Sequence, residues 1–393
     1  MDFAEQRQAM VAHLRKRQDI SDPVAAALLA VPRHLFVPGV DPEDAYRDVP
    51  IVTKRDDAGR PISSSSQPAI MATMLDQLGV EPGHRVLEIG AGTGYNAALL
   101  AHLAGPAGHV VSVDIDEDIV ARAGRHLSAA GAERVEVVGA DGVQGYAERA
   151  PYDRVIATVG VWDLAPAWLE QLGAGGRLVA PLDLRGVQVS VALERAGDHW
   201  AGRSVAPCGF MRMRGAFAGP EAIVVLRQDP ELMLGLPEWR EIGDVLAALD
   251  DEPDEVAVDG GEEVAYGPGV TLWLALRDSR CCVLTGRLGQ GYGMSIGLVD
   301  GDAIALLGGR GAHVARGRGP TGPGLAAQGH GPGGAALAAD LAGHVRAWNE
   351  AGRPETGDLR IHAYPGAYPG RAGDDGQGTV VPKRHTTLVV TFN

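Results

Sequence analysis

Val86-Leu87-Glu88-Ile89-Gly90-Ala91-Gly92-Thr93-Gly94-Tyr95 decides the fold: an apolar run broken by one carboxylate ends in three alternating glycines and passes into helix-forming residues. Glycine suits such a turn because a ligand can approach its backbone closely and because tight turns need dihedrals that a Cβ disfavours. The turn alone is shared by nicotinamide and flavin folds, so its neighbourhood must separate the possibilities. Working outward, short apolar runs alternate with helical stretches: a helix over 95–103, the run HVVSVDI (109–115), a helix over 116–130, RVEVVGAD (134–141), YDRVIATV (152–159), a helix around Trp168, and GRLVAPL (176–182). This alternation predicts an α/β fold with an open, mostly parallel, doubly wound Rossmann-like sheet covered on both faces. Ligand is then expected at the carboxyl ends of its strands.

Three acidic residues stand at those ends. Glu88 precedes the glycines, where it can accept from an ammonium group, directly or through water, and would oppose a pyrophosphate. Asp114, with Ile115 beside it, ends the next strand about 20 residues on, the spacing of an acceptor for ribose hydroxyls. Asp141 and Gly142 end the third, where a carboxylate can receive an exocyclic amine. Each acid taken singly also reads as a helix cap or turn residue. Together with Gly90, Gly92, Thr93 and Gly94 they point to S-adenosylmethionine, S-adenosylhomocysteine being the product form, and a dinucleotide dehydrogenase is the competing reading.

The bulk numbers bound the rest. A chain of 393 residues is long for one average domain and comfortable for two. A formal charge of -15 argues against a nucleic-acid partner, because phosphate binding is driven by Lys and Arg. Cys208, Cys281 and Cys282 make neither a disulfide framework nor a zinc site, and no metal is expected. No apolar h-region opens the chain and no stretch of about 18 apolar residues interrupts it, so a cytoplasmic protein without a membrane span is expected.

Helical spacing over 1–35 predicts two short helices, and Ile70, Met71, Met74, Leu75 and Leu78 mark another over 68–78. Between Val37 and Ser66 there is no period, which predicts an exposed connecting or functional loop. Residues 1–80 thus read as a helical and substrate-loop region, 81–215 as a cofactor-binding sheet, and 216–393 as an accessory α+β domain. In the last, strands are expected at EAIVVLR (221–227), VTLWLALR (270–277), CCVLTG (281–286), SIGLV (295–299), DAIALLG (302–308), LRIHAY (359–364) and TTLVVTF (386–392). Helices are expected near 238–249 and 335–349, and a mobile Gly-rich loop over 308–334.

Five motifs in register resemble protein-L-isoaspartate O-methyltransferases: Val31-Pro32-Arg33-His34-Leu35-Phe36-Val37-Pro38, Ala45-Tyr46 with Asp48, Ser66-Gln67-Pro68 followed by the Gly-rich turn, Ala150-Pro151-Tyr152-Asp153, and Gly175-Gly176-Arg177-Leu178-Val179-Ala180-Pro181. The resemblance covers about residues 5–215. It implies a carboxyl O-methyltransferase that uses S-adenosylmethionine, with the Ser66 hydroxyl near the methyl acceptor. Four serines stand in a segment where the repair enzymes usually show a shorter polar pattern, so Ser64 and Ser65 join Ser66 as expected catalytic residues. Ser63, Gln67, Thr158, Val159 and Gly160 are expected to meet the substrate, with Trp162 at the margin.

The second departure is length. About 175 further residues resemble the extension of methyltransferases associated with lanthipeptide and graspetide biosynthesis, which methylate an Asp side chain of a modified ribosomal peptide on the way to aspartimide or isoaspartate. That peptide-tailoring activity, on a linear or cyclised precursor, is the first expectation. Repair of L-isoaspartyl residues in damaged proteins is the alternative, and a cofactor-binding scaffold of a biosynthetic complex is a third. In either enzyme the acceptor carboxylate is already ionised at neutral pH, so no general base or triad is expected.

Overall fold

The computed structural model describes residues 3–57, 59–215, 217–220, 223–260, 267–288, 291–313, 324–370 and 378–392. Helices α1 (Phe3–Arg17) and α2 (Asp22–Ala30) open the chain. Ser21 caps α2 by accepting from the Val24 N–H, and Pro23 sits in the first turn, where its missing N–H costs nothing. A short helix α3 (Pro42–Ala45) leads to a hairpin of β1 (Ile51–Arg55) and β2 (Pro61–Ser65), then α4 (Pro68–Leu78) ends on Gly79 at φ 60°. The aperiodic stretch expected to be an exposed loop is therefore largely a hairpin. Ser63 and Ser65 are buried in it because alternate strand residues turn to one face.

Next come β3 (Arg85–Ile89), α5 (Tyr95–Ala104), β4 (His109–Asp114), α6 (Glu117–Ala129), β5 (Val135–Gly139), β6 (Tyr152–Ala157), α7 (Pro166–Gln171) and β7 (Leu172–Leu184). These five strands pair in parallel in the order β5-β4-β3-β6-β7. The chain steps outward from β3 to β5 and then returns to the other side of β3, so the crevice between the ends of β3 and β6 is the topological switch point where such sheets bind ligands. Helices α1, α2, α4 and α5 bury one apolar layer, including Leu14, Leu28, Met74 and Leu100, against the sheet. A second layer around Trp168, Leu178 and Val191 covers the other face.

The sheet does not stop at β7. Strands β8 (Val187–Ala196) and β9 (His199–Pro207), absent from the sequence reading, continue it antiparallel. Beyond them the chain forms a seven-stranded antiparallel sheet. It comprises β10 (Ile223–Gln228), β11 (Glu231–Gly235), β12 (Asp254–Val258), β13 (Cys281–Leu288), β14 (Gly291–Asp300), β15 (Ala303–Gly309) and β16 (Leu325–His330), in the order β10-β11-β13-β14-β15-β16-β12. The α+β character expected for the C-terminal region is thus present, with corrections. VTLWLALR is not a strand but the body of α9 (Pro268–Arg277), whose residues 269–276 are all buried; a helix enclosed on all sides loses the polar face that gives it a period.

The helix expected over 238–249 shrinks to α8 (Val245–Ala248), and residues 325–330 of the expected mobile loop form the fully buried β16; residues 314–323 lie outside the described set. Helix α10 (Gly334–Glu350) packs its Leu337, Leu341 and Val345 against this second sheet. The last strands, β17 (Leu359–Pro365), β18 (Thr379–Pro382) and β19 (Thr386–Phe392), leave that unit and extend the first sheet to ten strands through the β17–β9 pair. Gly202 allows that approach, since a Cβ there would stand 3.0 Å from the Ile361 carbonyl oxygen.

Arg33 fixes the region in front of the sheet. Its side chain is fully buried, and Nη1 donates to the carbonyls of Ala45 (2.9 Å) and Arg47 (3.2 Å) while Nη2 donates to those of Val49 (3.3 Å) and Ser66 (2.9 Å). Burial lowers its pKa from the ordinary arginine value, opposed by the charges of the Tyr95, Asp48 and Tyr46 groups. Arg33→Met should leave these carbonyls without donors and lower unfolding free energy by on the order of 3 kcal/mol. Urea unfolding curves would check this, and an unchanged midpoint would contradict it.

Candidate active site

The three glycines of the turn do different work. At Gly90 (φ 101°) a Cβ would lie 2.9 Å from Val159 Cγ1 and 3.0 Å from Thr158 Oγ1, so glycine lets the end of β3 close on the end of β6. At Gly94 (φ 85°) it would press on Leu127 and Ala123 of α6. At Gly92 (φ 52°) a Cβ would meet only the Ser64 carbonyl, at an ordinary contact distance of 3.5 Å, so there the backbone conformation is what favours glycine. The turn amides are largely engaged inside the protein: Gly90 and Ala91 N–H donate to the Val113 carbonyl, and Gly92 N–H to Asp114 Oδ2 at 3.2 Å. A pyrophosphate would need those amides free, which counts against the dinucleotide reading.

In front of the turn lies a cleft of about 340 Å³. One side is the serine strand, Ser63 to Ser66 with Gln67. The floor is Gly90, Gly92, Thr93, Asp114, Ile115, Asp141 and Gly142, and Thr158 and Val159 stand beside them. Asp114, mostly buried, accepts from the Gly92 and Asp116 N–H groups; burial raises its pKa above the ordinary carboxylate value against the pull of those bonds. Asp141 Oδ1 accepts from the Val143 N–H at 3.1 Å. Ile115 is 45% exposed, an apolar surface at the strand end.

Several expected residues are occupied elsewhere. Glu88 does not reach the cleft. It is completely enclosed, accepting from Ser112 Oγ at 2.5 Å and Asn96 Nδ2 at 2.7 Å, and it is Asn96 that lines the cleft in its place. Burial pushes the Glu88 carboxyl up to about 7, against the bonds from Ser112 and Asn96 and aided by the nearby Asp114. Gly160 lies behind the wall, its N–H donating to the Met211 carbonyl and its own carbonyl accepting from Met213 N–H. Thr158 donates its hydroxyl to the Gly90 carbonyl at 2.7 Å. Gln67 donates to Asp48 Oδ2, whose other oxygen caps α4 at the Ala69 N–H. Ser63 Oγ accepts from Thr53 Oγ1 at 3.2 Å.

Two hydroxyls at the cleft are buried without a hydrogen-bond partner, Ser65 Oγ and Tyr95 Oη. Tyr95 was legible only as the first helical residue after the turn. The far wall, Phe210 to Arg214, was likewise missed in sequence, because it carries no period or motif. The hairpin is held over the cleft by Lys54, which bonds Asp116 at 2.7 Å and Asp118 at 3.3 Å. Arg122 adds a bond to the Thr53 carbonyl.

A cleft with carboxylates at two strand ends and Asn96 at the third, engaged turn amides and unspent hydroxyls suits S-adenosylmethionine, and this fold and site define a methyltransferase dependent on it. The sequence model of Protein-L-isoaspartate(D-aspartate) O-methyltransferase (PCMT) matches residues 5–216, and the chain belongs to that family of carboxyl O-methyltransferases. It is 39% identical over 215 residues to the protein-L-isoaspartate O-methyltransferase of Methanoregula boonei, covering 54% of this chain and 95% of that one. With the enzyme of the same name from Methanoculleus marisnigri it is 43% identical over 189 residues, covering 48% and 82%. A solved protein-L-isoaspartate O-methyltransferase superposes with a TM-score of 0.52 at 24% identity, covering 91% of this chain and 96% of the other, so its fold extends over the C-terminal region as well. Among the described residues no group of His, Cys, Asp and Glu is arranged to hold a metal, and no helix is long and apolar enough to cross a membrane.

Glu88 links stability to pH. Its folded-state carboxyl titrates near 7 and its ordinary value is 4.5, so the folded state retains the proton longer. The contribution is fully present below the unfolded value and is lost as pH rises through the folded one. Glu88→Gln, which needs no ionisation, should gain on wild type as pH rises from about 5 to about 8. Denaturant midpoints across that range would check this; a constant difference would contradict it.

Proposed function

We propose that this enzyme methylates the free carboxylate of L-isoaspartyl residues in damaged polypeptides. The observation that carries the reading is the serine strand, ending in Ser66-Gln67-Pro68, laid along the cleft opposite Gly92 and Asp114 in a chain of this family. Peptide tailoring, the reading that chain length favoured, has less support. The added region is covered by the fold match to a solved protein-L-isoaspartate O-methyltransferase, so length does not single out a ribosomal-peptide role.

Bound S-adenosylmethionine supplies a methyl group activated on a sulfonium. Asp114 is assigned to the ribose hydroxyls, since each of its oxygens keeps a lone pair beyond the one backbone bond it accepts. Ile115, Asp141 and Gly142 are assigned to the base. At the amino-acid end Asn96, held through its Nδ2 by Glu88, keeps its carbonyl oxygen as an acceptor for an ammonium group. Glu88 is on this reading a positioning residue. The hydroxyls of Ser65 and Tyr95 are unspent donors for the acceptor carboxylate, with Ser64 and Ser66 flanking them.

The acceptor needs no base, because a carboxylate with a pKa near 4 is ionised at neutral pH. What remains for the protein is alignment and exclusion of water, a source worth up to roughly 7–11 kcal/mol in favourable systems. The hairpin, pinned at Lys54, covers the cleft for that purpose. Once the ester has formed, the following backbone nitrogen attacks its carbonyl, a C–N bond forms and methanol departs, leaving a five-membered succinimide.

The test is a methyl-transfer assay on matched peptides containing isoaspartate or aspartate. Methylation of the isoaspartyl peptide with a kcat/KM at least about 100-fold above its aspartyl twin is expected; a preference for aspartate in a constrained peptide would support tailoring instead. In the same assay Ser65→Ala should lower kcat while cofactor affinity, read by calorimetry, stays unchanged.

A further inference from the structure

The two segments that form the far side of the cleft run on together beyond it. Thr158 and Val159 line the cleft, while Trp162 and Asp163 line a second cavity of about 360 Å³. On the partner segment Met213 and Arg214 line the cleft, while Gly215 and Phe217 to Pro220 line the second cavity. The segments are hydrogen-bonded to each other, Gly160 N–H to the Met211 carbonyl at 2.7 Å and Met213 N–H to the Gly160 carbonyl at 2.8 Å. Three residues of extended chain span roughly 10 Å, so the second cavity opens two or three residues along from the cleft.

Its third wall comes from the C-terminal region. Asp163 is completely buried and accepts from the His385 N–H (2.6 Å), Thr386 Oγ1 (2.6 Å) and the Leu164 N–H (2.8 Å), which fixes the β18–β19 turn against this spot. Phe217 stacks on His385 with centroids 5.1 Å apart and planes 2° from parallel. The backbone at Gly219 lies flat on Trp162; a Cβ there would stand 2.5 Å from the indole Cγ. Arg384 completes the lining, Lys383 Nζ stands 5.1 Å from the centre of the Trp162 ring and Arg212 donates to the Pro220 carbonyl, so the cavity has an aromatic and aliphatic floor with cations at its edge.

We propose that this cavity receives an apolar side chain of the acceptor polypeptide, two or three positions from the methylated residue, and that the C-terminal strands thereby act in substrate selection. The inference rests on the polypeptide-acceptor reading above. An acceptor within a chain must continue past the modified residue, and the paired segments give the continuation a direction and a floor. Asp163, with its carboxylate engaged by the turn, shapes the cavity without offering a site for a charged group. Trp162 and Phe217 supply the surface that an apolar side chain would bury.

The experiment uses the full chain and a set of isoaspartyl heptapeptides, the isoaspartate central, carrying Leu, Phe or Ser at each position up to three residues on either side. At one position two or three residues from the isoaspartate, Leu or Phe should lower KM about ten-fold relative to Ser, kcat being little changed. In Phe217→Ala and Trp162→Leu the ratio of KM between the Ser and the Leu or Phe peptides should fall to about one, with cofactor affinity as in wild type. Should Trp162→Leu fail to fold, Phe217→Ala reads the outcome by itself. Equal KM across all peptides, or a preference that survives Phe217→Ala, overturns the inference and leaves the isoaspartyl reading standing. No methylation of any isoaspartyl peptide overturns both.

Discussion

A single guanidinium holds the front of this enzyme together. Nη2 of Arg33 donates to the carbonyls of Val49, two residues before the β1–β2 hairpin, and Ser66, the residue after it. Both ends of a segment of more than a dozen residues are therefore fixed to one planar group, and the loop-closure entropy of the hairpin is met by a few short, charge-assisted bonds. The hairpin carries the serine strand, the serine strand forms one side of the cleft, and Lys54 on the same hairpin reaches across to Asp116 beside the cofactor floor. Placement of the serine strand along the cleft thus depends on a cation that does not itself line it.

That dependence suits the chemistry. Displacement on a methyl group by an anion already present at neutral pH asks for geometry more than for acids or bases, and geometry is what buried, hydrogen-bonded polar groups provide. Glu88 follows the same pattern one layer behind the cleft, where two donors and complete burial make it a support for Asn96. Its raised pKa belongs to that enclosure; it is not the mark of a proton carrier.

The parts of the fold legible in the sequence are those fixed by local rules. The Gly-rich turn and the alternation of strand and helix announce the parallel core, and Asp114 and Asp141 line the cleft at two strand ends, whereas Glu88 sits one layer behind it. What could not be read depends on distant residues. Nothing in Glu88 itself says that Ser112 and Asn96 will close over it. Arg33 looks like a surface cation in a Pro-rich stretch until four carbonyls are found around it. VTLWLALR has no polar face because α9 is enclosed on every side, so it carries no period to distinguish helix from strand. The serine segment was read as a loop since its alternating burial is visible only once β1 is paired to it.

The joining of β17 to β9 has a bearing on how the polypeptide is made. The edge of β9 is covered only when residues that follow the whole second sheet arrive, so the catalytic half spends part of synthesis with an unsatisfied row of backbone donors and acceptors. On the ribosome the border of β9 at Trp200 and Ala201 therefore stays open until β17 has been made, and a chain cut short after the first half would keep that border exposed.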